Sequence, residues 1–152
     1  MIGRLGATLV LAAACAADAK LPQVPQAEVS MLRLSAEAPR AATALRRGTR
    51  APTSLAFTLE TLEDPAAQAY SVSAEVRWAG DGEPAVTAAI GQVTPFPATG
   101  AARFELAVPA DAAALLSRVN GRLELELGLV EIDEDRPLRA PLRVEVRDVA
   151  WR

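Results

Sequence analysis

Apolar and polar residues alternate with a period of two along most of the chain beyond residue 27. The clearest run is 70–78, in which Tyr70, Val72 and Val76 fall on one face and polar residues fall on the other. Successive side chains of a strand point to opposite faces, so this pattern is typical of a strand with one buried face. Comparable runs bounded by turn residues predict seven or so strands, at 28–34, 54–62, 70–78, 85–93, 102–108, 122–130 and 142–149.

Two segments break this period. Residues 112–118 have the spacing of a short helix, with Asp111 as its predicted cap and Gly121 as its predicted stop. Residues 36–52 contain two prolines and four arginines, so they predict a long surface loop in which 41–47 forms at most two helical turns. Gly91 predicts a bulge within its strand. The whole pattern predicts an all-β, antiparallel β-sandwich of about seven strands, Ig-like or jelly-roll-like, with one short helix.

The first residues are typical of an export signal. A short basic start is followed by the apolar stretch 5–14 and by Ala-Asp-Ala at 17–19, which predicts a signal peptide over 1–19. Leu-Ala-Ala-Ala-Cys at 11–15 also resembles a bacterial lipobox, in which Cys15 is acylated after removal of 1–14. Both alternatives predict an exported chain, periplasmic or extracellular, and the second anchors it to the envelope. We expect a Pro-rich tether over 20–27 and the sandwich over 28–152.

Composition removes most classes of enzyme. The chain has 152 residues, a formal net charge of −3, one Cys, one Lys and no His. Without His, a Ser-His-Asp or Cys-His nucleophile is excluded, and catalytic zinc, copper and iron sites lose their usual ligand. An aromatic content of 4% and an acidic balance argue against nucleic-acid binding. We therefore expect a non-catalytic protein with no cofactor, no metal and no small-molecule substrate, which contacts a membrane only through a lipid on Cys15.

Two acidic features keep an alternative open. Glu124 and Glu126 share one face of a predicted strand. A hydrolase would need the two carboxylates in a cleft, whereas on a solvent-exposed sheet face their charge alone is useful. The acidic turn 131–135 offers oxygen ligands for Ca²⁺, but it lacks a Gly-containing calcium-loop signature, so we expect a solvated turn. Trp78 and Trp151 end their strands and are expected to cover the core.

A basic segment is the first candidate for partner binding. Arg40, Arg46, Arg47 and Arg50 lie in a stretch where only Glu37 opposes them. They could bind an acidic partner, lipid headgroups or a polyanion, and the competing interpretation is a solvated loop.

Residues 54–152 resemble the C-terminal β-sandwich domain that follows the dicopper domain in polyphenol oxidases and tyrosinases. The resemblance is carried by the order of elements: a Leu-rich strand ending Leu-Glu-Asp-Pro at 62–65, the Tyr-led strand 70–78, Arg-Phe-Glu-Leu-Ala-Val at 103–108, and an Asp-led helix. In that family the sandwich binds no copper and shields the metal site of the catalytic domain, sometimes with an aromatic side chain.

The resemblance implies an accessory domain that shields or assists a copper oxidase of the tyrosinase type. Phe96, in the Pro-Phe-Pro loop, is then the candidate for an inserted aromatic side chain. The alternative function is a structural envelope lipoprotein tethered through Cys15.

Overall fold

The computed structural model describes residues 21–95 and 100–152. This part of the chain forms nine strands and one helix. The strands are β1 (Gln26–Ala27), β2 (Met31–Ser35), β3 (Arg40–Arg46), β4 (Ser54–Glu63), β5 (Tyr70–Ala79), β6 (Val86–Val93), β7 (Ala101–Ala107), β8 (Arg122–Glu131) and β9 (Arg143–Trp151), and the helix is α1 (Ala110–Leu116). With seven residues, α1 is too short to cross a membrane.

The strands form two antiparallel sheets around one core. The five-stranded sheet has the order β1-β3-β8-β5-β6, and the four-stranded sheet has the order β2-β9-β4-β7. Alternate residues of each strand point between the sheets, and Leu55, Val76, Leu125 and Val146 are fully buried there. The predicted all-β fold with antiparallel sheets and one short helix is confirmed.

The predicted loop 36–52 was wrong over its central part. Residues 40–46 are strand β3, which lies inside the five-stranded sheet between β1 and β8. Thr43 and Leu45 point into the core, whereas Ala42 and Ala44 point outward beside Glu126 and Glu124. Alanine on both faces hides the period of two, because it differs little from polar neighbours in such a pattern.

The predicted bulge at Gly91 is confirmed. Ala74 pairs with Gly91 and Glu75 pairs with Ala89, so Ile90 is the extra residue. A Cβ at Gly91 would lie 3.1 Å from Leu106 of the opposite sheet, so this position also lets the two sheets approach closely.

The helix is capped differently from the prediction. Pro109 precedes α1 and offers no capping side chain, while the Asp111 carboxylate accepts from the Ala112 N–H at 2.9 Å within the first turn. The helix ends at Leu116, well before Gly121, which therefore does not terminate it. Ala112, Leu115 and Leu116 are buried, and the helix packs on β5 and β6.

Candidate partner-binding surfaces

The strand registers sort the loops into two opposite ends of the sandwich. The N-terminal end carries residues 21–25 and the loops 46–53, 79–85 and 117–121, because β3 and β5 finish there and β8 begins there. The far end carries the loops 36–39, 64–69 and 131–142. Val93 and Ala101, which the Phe96 loop connects, also lie at the far end. Phe96 itself, like Cys15, lies outside the described residues.

Three of the four candidate arginines come together at the N-terminal end. Arg46, Arg47 and Arg50 belong to the loop 46–53, here named the arginine loop, and all three are exposed. None of them makes an ion pair with a described residue, although the Arg47 guanidinium donates a hydrogen bond to the Gly121 carbonyl. Arg40 lies at the opposite end of β3, 2.6 Å from the Glu126 carboxylate. The predicted cluster of four is therefore a cluster of three.

The N-terminal segment is fixed to the arginine loop. The Gln23 carbonyl accepts from the Thr49 N–H at 2.7 Å and from the Arg50 N–H at 3.1 Å. The Thr49 hydroxyl in turn accepts from the Gln23 N–H at 3.0 Å, and Pro25 is buried. Residues 23–27 of the predicted tether thus lie against the domain, and the last two of them form β1, which pairs with β3.

Beside this segment, the loops 79–85 and 117–121 enclose a cleft of about 620 Å³. The Trp78 indole donates to the Asn120 carbonyl, and the Arg118 guanidinium lies 4.5 Å from the centre of the Trp78 ring. Asp81 and Glu83 line the opposite side. Trp78 is largely buried, as predicted, and Val119, which is 82% exposed, adds an aliphatic side chain to the lining of the cleft. Sequence reasoning missed this cleft, because its loops carry no motif and meet only through the antiparallel register.

The candidate carboxylate pair lies on the outer face of the five-stranded sheet. Glu124 is 2.6 Å from Arg122, and Glu126 is 2.6 Å from Arg40. Each carboxylate therefore already has a cationic partner, and neighbouring strands keep both on an open face. This arrangement suits a solubilising sheet face, since a general acid needs a desolvated site that raises its pKa.

The acidic loop, residues 131–135, projects from the far end. The Asp133 carboxylate accepts from the Asp135 N–H at 3.1 Å and lies 3.5 Å from Arg136. No group of three metal-ligating side chains occurs in the described part of the chain, which includes this loop. Ile132 of this loop is 50% exposed. Glu131, Glu134 and Asp135 make no ion pair with any described residue.

The buried hydroxyl of Tyr70 has a pKa above its ordinary value. Burial raises the pKa of Tyr70, and the nearby Asp64 carboxylate raises it further, against the opposing effect of a 2.5 Å hydrogen bond with the Thr61 hydroxyl. Tyr70 therefore stays neutral at physiological pH.

No family model matches the chain. A search of curated proteins also found no match. Function is therefore inferred from the surfaces described above.

Proposed function

We propose that this chain is a non-catalytic, exported β-sandwich domain that acts by binding a partner protein. The leader over 1–19, or 1–14 if Cys15 is acylated, is removed on export. One observation carries the proposal: the N-terminal segment is bound at one end of the sandwich, and the acidic loop projects from the other. A domain held by its N-terminus therefore presents the far end to its surroundings.

The chemistry of the far end fits a protein partner. Ile132 offers an exposed aliphatic side chain, and Glu131, Glu134 and Asp135 are exposed carboxylates of the same loop. An apolar centre within a charged rim is the usual composition of a transient protein interface. The partner surface would then combine an apolar depression with arginine or lysine side chains. A copper oxidase of the tyrosinase type is the partner that the family resemblance implies, and Phe96 is the candidate for the aromatic side chain inserted into it.

Site-specific cross-linking tests this proposal. A photoreactive amino acid at position 132 is expected to give a discrete cross-linked product with the partner, and one at Thr87 on the outer sheet face is not. With the photoreactive amino acid moved to the exposed Glu134, Ile132→Asp should abolish the product, whereas Val119→Asp, at a still more exposed aliphatic residue of the opposite end, should leave it unchanged. Copper-oxidase activity measured with and without the domain, and with Phe96→Ala, identifies that partner. A hydrolytic activity lost in Glu124→Gln, with no product from position 132, would contradict the proposal.

The alternative is an envelope lipoprotein tethered through Cys15, and the position of the arginine loop favours it. Eight residue steps separate Cys15 from Gln23, so a fully extended chain reaches only roughly 26–29 Å before it meets the domain. The same end carries Arg46, Arg47 and Arg50, which would then face anionic headgroups. An acyl chain and a basic segment together give stable membrane binding where either alone is weak.

Intact mass and detergent partitioning of the exported chain distinguish the two processing routes. The lipoprotein alternative expects the mass of an acylated chain beginning at Cys15, partition into the detergent phase, and loss of both in Cys15→Ser. Replacing Arg46 and Arg50 by Gln should then release more protein from anionic membranes at low salt, a difference that disappears at raised salt, and Arg77→Gln on the sheet face should not. An unmodified chain beginning at Lys20 excludes the anchor and leaves a freely exported domain.

A further inference from the structure

The free edge of β7 differs from the other sheet edges of the molecule. Within residues 21–95 and 100–152, β7 is hydrogen-bonded on one side only, to β4. Open edges are usually blocked by short strands, bulges, prolines or inward-pointing charges. At the other edges, β1 has two residues, β2 has five, and β6 contains the bulge at Ile90. Strand β7 has seven residues and none of these protections.

The register with β4 shows which backbone groups of β7 are free. The Val108 N–H donates to the Thr53 carbonyl at 2.9 Å, so even-numbered residues of this strand bond to β4. In an antiparallel ladder the bonded side alternates along the strand. The N–H and C=O groups of Ala101, Arg103, Glu105 and Ala107 therefore point away from the sheet, in line, with no described strand to receive them.

We propose that this edge pairs with β7 of a second copy of the chain, antiparallel and centred on Phe104. In that register Arg103 lies opposite Glu105 of the second copy, Glu105 lies opposite its Arg103, and Ala101 lies opposite its Ala107. Together with the symmetry-related pair of Ala107 and Ala101, this gives four residue pairs that use free backbone groups, and each pair exchanges two hydrogen bonds. The result is a two-fold symmetric dimer with one eight-stranded sheet running through both protomers.

Charge selects this register among its neighbours. Shifting the pairing by two residues in either direction, the smallest shift that again uses the free backbone groups, places Arg103 opposite Arg103 or Glu105 opposite Glu105, and like charges directly opposite each other are destabilising. Arg103 has no ion pair with any residue in the described ranges, so its guanidinium has capacity for a partner across the two-fold axis. The Glu105 carboxylate accepts from the Ser54 hydroxyl at 2.6 Å and lies 3.6 Å from Arg152, and a carboxylate, with about four lone-pair sites, can accept a further bond from Arg103 of the second copy.

The core side of β7 also benefits from pairing. Phe104 and Leu106 point inward but remain only partly buried, because the sandwich is open along this edge. Phe104 already contacts Phe57, with ring centres 6.1 Å apart. In the dimer the two Phe104 side chains become cross-strand neighbours, and each Leu106 faces Ala102 of the other copy, which removes further apolar surface from water.

Sedimentation equilibrium of the chain purified from the periplasm of a bacterial host tests the proposal. We expect a reversible monomer–dimer equilibrium, weakened about tenfold or more by Arg103→Glu or by Glu105→Arg, each of which creates a like-charge pair. The double variant Arg103→Glu/Glu105→Arg exchanges the charges and should restore dimerisation. Arg77→Glu, an exposed arginine on the other sheet, should leave the equilibrium unchanged.

Two further measurements separate pairing from other causes. Arg103→Pro removes a free N–H without touching the β4 ladder, so it should abolish the dimer while circular dichroism shows an unchanged fold. Amide exchange of Arg103 and Glu105 should slow with protein concentration in the parent chain. A chain that stays monomeric at all soluble concentrations, or a dimer indifferent to Arg103→Pro, would overturn the proposal, and failure of the charge exchange would overturn the register.

Discussion

At the scale of single residues, Gly121 lies where the loops at the N-terminal end of the sandwich meet. It has a φ of +87°, and a Cβ at this position would collide with the backbone carbonyl of Ala79. The same turn brings the Asn120 carbonyl to the Trp78 indole and the Gly121 carbonyl to Arg47. One glycine thus holds the loops 79–85 and 117–121 and the arginine loop together.

Gly121→Ala is expected to destabilise the fold more than Gly82→Ala does. Gly82 also has a positive φ, of +77°, but a Cβ there would meet nothing within 4 Å. Gly82→Ala, the control, should therefore lower the free energy of unfolding by about 1–2 kcal/mol, the cost of placing alanine in the left-handed backbone region. Gly121→Ala adds a backbone collision worth about 1–3 kcal/mol more. Free energies of unfolding from denaturant titration give the comparison, and equal losses would show that the collision is relieved at no cost.

At the scale of elements, the strands with contrasting faces were predictable and the alanine-rich strand was not. In β5 and β8, leucine, valine and tryptophan alternate with charged or hydroxyl residues, so the period of two is visible. In β3, alanine occupies both faces and arginine begins and ends the strand, so the sequence of this strand resembles that of a loop. The bulge at Gly91 could be predicted because glycine weakens a strand, whereas the cap of α1 depended on Pro109 fixing where the helix begins.

Leu125→Ala is expected to cost about 2–4 kcal/mol in the free energy of unfolding. Leu125 is fully buried, and it lies directly opposite Val76 on the neighbouring strand, so Val76→Ala should be similarly costly. Leu62→Ala, at a leucine that is 52% exposed, should stay within about 0.5 kcal/mol of the parent chain. A cost below about 1 kcal/mol for Leu125→Ala would contradict its position between the sheets.

At the scale of the whole molecule, the two ends carry different chemistry although the sequence intermixes their residues. The acidic loop and the arginine loop were both visible as charge runs, yet their separation depends on which way each strand runs. Strand direction follows from long-range pairing, which no local pattern reveals. The candidate surfaces could therefore be predicted as segments but not as faces. The edge proposed for dimerisation could not be predicted at all, because an edge strand is defined only by the absence of a neighbour.

The pairing of β9 between β2 and β4 has a consequence for when the molecule can fold. The four-stranded sheet joins residues 31–35 to 143–147, so it cannot form before β9 has been synthesised. Such distant pairings carry a large loop-closure entropy and make folding slow. One layer of the sandwich cannot assemble until β9 is available. A nascent chain that still lacks β9 therefore has no complete sandwich, a state compatible with passage across a membrane before folding.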